Sequence, residues 1–144
     1  MSALRRFLAL GGAERAVAAE AAALLAFVRL TFWILPFRLL RRALHRYSTL
    51  MIQTGGRVAA ARTAALVASV AARFPVPVTC LAEALVAETM LRRRGYAPAL
   101  RLGVRKPDAS VFDAHAWVEC DGRIVIGEVA ELGDYAVLEA RGRS

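Results

Sequence analysis

The hydrophobic period of this chain changes once, at Pro98. Upstream of it apolar residues recur every three or four positions; downstream they alternate. A chain of 144 residues with that switch has to pack a run of helices against a run of strands. The upstream part predicts four helices. Residues from Glu14 to Leu35 are rich in Ala and Leu and free of Gly and Pro, a strong helix pattern that Pro36 ends. After Pro36, Phe37, Leu40, Leu44 and Tyr47 fall on one side and Arg38, Arg41, Arg42, His45 and Arg46 on the other, an amphipathic helix with a basic face. Gly55-Gly56 reads as a hinge or loop, and Val58 to Ala72 as the third helix. Phe74-Pro75-Val76-Pro77-Val78 must be extended, since two prolines exclude a helix. The fourth helix runs from Cys80 to Arg94, with Thr79 as its cap and Gly95 as its stop.

Downstream, Ala99 to Val104 alternates as a strand, Lys106 to Ser110 reads as a loop, and Val111 to Cys120 as a second strand. Asp121-Gly122 is a hairpin turn returning through Arg123 to Gly127, and Asp134 to Leu138 predicts a short fourth strand. The fold class is therefore α+β, a helical part over residues 1–74 and a sheet-bearing part over 75–144 within one structural unit.

Charge divides along the same line. Residues 1–79 carry 11 arginines against 2 glutamates, whereas residues 80–144 carry 9 basic and 10 acidic side chains. The basic half invites a nucleic-acid reading, but aromatic interleaving and a nucleic-acid motif are missing, so no nucleic-acid partner is expected. A membrane-facing surface, with an apolar helix beside an Arg-rich one, docking to an acidic partner or leader, and a solvated basic face are the other readings of the charge. The most apolar stretch, residues 21–35, is short of the roughly 20 residues a span needs and contains Arg29. It reads as a buried core helix; no membrane association is expected, and the chain reads as cytoplasmic. Two cysteines and two histidines do not make a disulfide framework or a spaced zinc site, and no phosphate-binding glycine loop is present. No cofactor or metal is expected.

Cys80 stands out by position. Opening a helix, its sulfur lies in the positive field of the helix N-terminus, which favours the thiolate. A nucleophilic cysteine needs a base, and His115, centred on the second strand, is the only histidine outside the basic helix. Cysteine on a helix start, histidine on a strand, then an acid on the next strand is the order used by papain-like and transglutaminase-like hydrolases.

Longer segments sharpen this. Cys80-Leu81-Ala82-Glu83-Ala84-Leu85, the run from Leu91-Arg92-Arg93-Arg94-Gly95-Tyr96 to Val104, Phe112-Asp113-Ala114-His115-Ala116-Trp117-Val118-Glu119 and Asp121-Gly122 together resemble the leader peptidase of lasso peptide biosynthesis, a transglutaminase-like cysteine protease. Leu35 to Leu44 is similar to that family's helical N-terminal part. The resemblance implies a papain/transglutaminase-like catalytic core over residues 75–144, with Cys80 as nucleophile and His115 as base. It also implies that a leader is cut from a ribosomally made precursor peptide held by a separate leader-recognition protein, with an ATP-dependent macrolactam cyclase as a further partner. A non-catalytic subunit of the same complex, or a transglutaminase or amidase acting on another acyl group, are the alternatives.

Where the resemblance calls for an aspartate after His115, this chain has Gly127. A two-residue Asp121-Gly122 turn would pair Cys120 with Arg123, Trp117 with Ile126 and His115 with Glu128. A three-residue loop with a Gly122 bulge would instead set His115 opposite Gly127, to be held by a backbone carbonyl or by Glu119. The first register makes Glu128 the orienting acid, and Glu128 is the expected third member of the site. Asp113 shares the His115 face near the strand start, Trp117 walls the site, and Cys120 and His45 read as packing and solvated residues.

Overall fold

The computed structural model describes residues 3–52, 58–108, 111–129 and 132–138. Among these the chain forms helices α1 (Ala3–Ala9), α2 (Gly12–Thr31), α3 (Phe37–Leu50), α4 (Ala60–Ala72) and α5 (Cys80–Arg93). Strands β1 (Pro98–Asp108), β2 (Val111–Cys120), β3 (Arg123–Ile126) and β4 (Ala136–Leu138) follow. The sheet is antiparallel in the order β3-β2-β1-β4. The α+β class read from the period switch is the observed one.

α5 is the hub, packing against α2, α3, α4, β1 and β2. Every residue from Ala84 to Leu91 is buried, so this helix has no solvent face along its middle. Val17, Leu25 and Val28 of α2, Leu40 and Leu44 of α3, and Leu66 and Val67 of α4 close round it. From the sheet, Ala116 and Val118 of β2 and Ile126 of β3 complete the core. Alternation on β2 then puts Asp113, His115, Trp117 and Glu119 on the opposite face.

Four sequence expectations change. α1 was not foreseen: it is a single short helix, with Leu4 and Leu8 exposed and Leu10 behind it packed on the core, too brief to show a period. β1 runs on to Asp108 where a loop from Lys106 was expected; the pairing with β2 turns irregular between Arg105 and Asp108, which accommodates Pro107. Asp134 ends a 3-10 turn, Leu132–Asp134, and the last strand starts only at Ala136. Finally, residues 21–35 are not a buried helix throughout. α2 stops at Thr31, and Leu30, Trp33 and Ile34 are 68, 83 and 79% exposed. The expected hinge at Gly55-Gly56 lies outside the described residues.

Candidate active site

The extended Phe74 to Val78 segment delivers the chain to Thr79, whose backbone is extended and whose hydroxyl accepts the Ala82 N–H at 3.2 Å. That cap fixes where α5 begins, and Cys80 is its first residue, a half-buried free thiol. As a first-turn residue, Cys80 carries an N–H with no intrahelical acceptor. Glu83, one turn on, is half-buried on the same side of the helix. Burial holds its carboxyl above the ordinary range, and the positive charge of His115 opposes that rise. The imidazole of β2 therefore sits within electrostatic reach of the turn that Cys80 opens.

On β2, His115 Nε2 meets the Gly127 carbonyl oxygen at 2.5 Å. A carbonyl can only accept, so Nε2 carries the hydrogen, and whenever the ring is neutral Nδ1 holds the lone pair a proton acceptor requires. Trp117 stacks beside the ring, centroids 6.1 Å apart, and Tyr135 leans on it at 5.7 Å. The β1 residue opposite His115 is Gly103, where a Cβ would come 2.8 Å from the Trp117 ring and 2.9 Å from Tyr135 Cβ. Its bare backbone makes the room those two side chains occupy.

The acids on this face are committed elsewhere. Asp113 accepts from the Tyr135 hydroxyl at 2.7 Å and from Arg105 at 2.9 Å; with the charge of His115 these hold its carboxyl below the usual carboxylate range. Glu119 accepts from Trp117 Nε1 at 3.1 Å and pairs with Arg101 at 3.4 Å.

Register explains why no acid among the described residues pairs with the histidine across the ladder. The turn is the two-residue form: Asp121 and Gly122 both have positive φ, 53° and 75°, and Cys120 pairs with Arg123. One pair later the ladder slips. Glu119 faces Ile124 but Val118 faces Ile126, so Val125 is an extra, bulged residue. The expected pairing of Trp117 with Ile126 is therefore not formed, and the geometry that would set Glu128 opposite His115 is lost. Glu128 is exposed. The slip brings Gly127 beside Ala116 and Trp117 instead. At its φ of 87° a Cβ would lie 2.7 Å from Ala116 O and 2.9 Å from Trp117 Cα. Position 127 offers its carbonyl because it has no side chain.

Glu83 is the residue the sequence reading passed over. Its three-residue spacing from Cys80 was the available signal; its relation to His115 depends on how α5 lies on β2. Cys120 is the contrasting thiol: burial and the Asp121 charge push it up, away from reactivity. Two cavities, of about 570 and 390 Å3, open among α1, α2 and α4 and between α3 and α5, and neither is lined by Cys80 or His115. Among the described residues no group of three His, Cys, Asp or Glu converges as a metal would require.

A free thiol thus opens a capped helix packed against an antiparallel sheet that carries a histidine. The chain belongs to the transglutaminase-like superfamily, whose family profile matches residues 21–140, from within α2 past the end of β4. No curated protein and no solved structure matches it.

Proposed function

We propose that this chain is a cysteine endopeptidase that removes the leader from a ribosomally synthesised lasso precursor, presented by a separate leader-recognition protein. The observation that carries the reading is a free thiol opening the capped helix α5 of a transglutaminase-like chain, with His115, its Nε2 tied to a carbonyl, on the strand β2 that α5 packs against. The Cys80 helix and the Ala114-His115-Ala116-Trp117-Val118-Glu119 strand also support it by their resemblance to the lasso leader peptidases. His115 Nδ1 takes the Cys80 proton as Sγ bonds to the scissile carbonyl carbon. The charge on the carbonyl oxygen is met by the Cys80 N–H at the positive end of α5. The proton then passes to the leaving nitrogen as the C–N bond breaks. Water hydrolyses the thioester, releasing the carboxylate and restoring the thiol. The Gly127 carbonyl orients the imidazole in the place expected of Glu128, and the Glu83 charge supports the imidazolium.

Two other readings rest on particular features. The missing acid at position 127 favours a non-catalytic partner-binding subunit. The thioester itself would also serve a transglutaminase, with an amine taking the place of water. Mass spectrometry of precursor incubated with this chain and its recognition protein separates them: hydrolysed leader is expected from the wild type and none from Cys80→Ala or His115→Ala. Cleavage by Cys80→Ala overturns the cysteine-protease reading, and an amine adduct in place of the acid assigns the transferase.

A further inference from the structure

α3 buries Leu40, Leu44 and Ser48 against the body of the protein and turns an opposite stripe outward. Leu39, Arg42, Arg46 and Leu50 follow one another along that stripe at helical spacing, all exposed. The apolar exposure continues past both helix ends, to Trp33 and Ile34 before it and to Met51 and Ile52 after it. Monomeric proteins rarely leave so much large apolar surface open without a use for it. Charge on this stretch is of one sign. Residues 21–52 contain five arginines and no acid, and Arg38, Arg42 and Arg46 enter no ion pair among the described residues.

Apolar side chains at both ends of an amphipathic helix, with cations between them, match the layered chemistry of a bilayer surface. α3, at 14 residues, is about 21 Å long, enough to lie along such a surface. No helix among the described residues is long and apolar enough to cross one. We propose that α3 docks flat on an anionic membrane surface, with Trp33, Ile34, Leu50 and Ile52 entering the headgroup layer and Arg38, Arg42 and Arg46 pairing with lipid phosphates and carboxylates. This reverses the expectation drawn from hydropathy, which located an apolar stretch but not the side it exposes. It does not depend on the proposed peptidase activity.

The two tryptophans make the test direct, because Trp33 is 83% exposed and Trp117 only 3%. The full chain should co-sediment with vesicles of phosphatidylcholine containing about a third phosphatidylserine, and remain in solution with phosphatidylcholine alone. Binding should shift tryptophan emission to the blue in the wild type but not in Trp33→Phe. Arg38→Gln, Arg42→Gln and Arg46→Gln together should lower the partition coefficient about a hundredfold. Trp33→Ser with Ile34→Ser should abolish sedimentation with an unchanged circular dichroism spectrum, since both side chains are exposed. No sedimentation with anionic vesicles, equal sedimentation with neutral ones, or wild-type partition of the arginine variant overturns the proposal. So does a blue shift that follows protein concentration and dimer mass without lipid, which assigns the face to a second copy. Protection of Trp33 by the recognition protein alone overturns it in favour of a protein partner.

Discussion

At its C-terminal end α5 meets two acids that are each held by two arginines. Glu20 accepts from Arg93 and Arg94, both at 2.7 Å, and from the Tyr47 hydroxyl at 3.0 Å. Glu88 is held by Arg92 at 3.0 Å and Arg41 at 3.3 Å. Arg94 and Glu88 are almost wholly buried, so these contacts tie α2 and α3 to the hub where an unpaired charge would be costly. Glu83, at the other end, is half-buried, and its carboxylate makes no hydrogen bond or ion pair among the described residues. Among the described residues, the field of His115 answers it. One helix thus meets arginines where it builds the fold and, beside the thiol, carries a carboxylate with no ion pair among the described residues.

The same substitution at the two ends should therefore change stability in opposite directions. Glu20→Gln leaves Arg94 buried without its counter-charge and should cost on the order of 3 kcal/mol, read from urea denaturation. Gly127→Asp follows in size. A non-glycine residue in the left-handed region costs about 1–3 kcal/mol, and its Cβ would press on the Ala116 carbonyl. Placing there the aspartate that the lasso leader peptidase resemblance calls for should therefore lower stability and abolish the proposed cleavage, and an activated Gly127→Asp enzyme would show that β3 can re-register.

Glu83→Gln is expected to raise the melting temperature at neutral pH. Because burial raises this carboxyl in the folded state, the native protein gains from it below the ordinary carboxylate range and loses that gain as pH climbs through the raised value. The variant should have a flatter melting profile as pH rises above the ordinary carboxylate range. Its single-turnover cleavage should fall no more than about fivefold, the scale of a partly exposed charge pair. A fall in melting temperature like that of Glu20→Gln would erase the difference between the two ends. Glu128→Gln is the smallest effect, within about twofold in rate and near neutral in stability, as for an exposed side chain. A strong loss of cleavage there would return Glu128 to the histidine.

What could be read from residue order is what local chemistry decides. Thr79 ahead of Cys80 and Gly95 behind Arg94 bracket α5 to within a residue, and Asp121-Gly122 selects its hairpin turn. The bulge at Val125 could not be read, because a ladder slips to satisfy packing on both strands, and no local signal marks the extra residue. The role expected of Glu128 depended on that register. The exposed Trp33 and Ile34 were hidden for a related reason: hydropathy counts apolar side chains without saying which of them find a neighbour. Glu83 needed α5 laid on β2 before its carboxyl had any relation to an imidazole.

The Gly127 carbonyl lies one residue beyond β3, a four-residue strand at the edge of the sheet. Edge strands fray with less free energy than the core needs to melt. The tautomer of His115 is thus held by one of the least tethered parts of the backbone, while the thiol sits on the helix that the core encloses. In the proposed mechanism, readiness for proton transfer is then a property of local order, separable from the persistence of the fold.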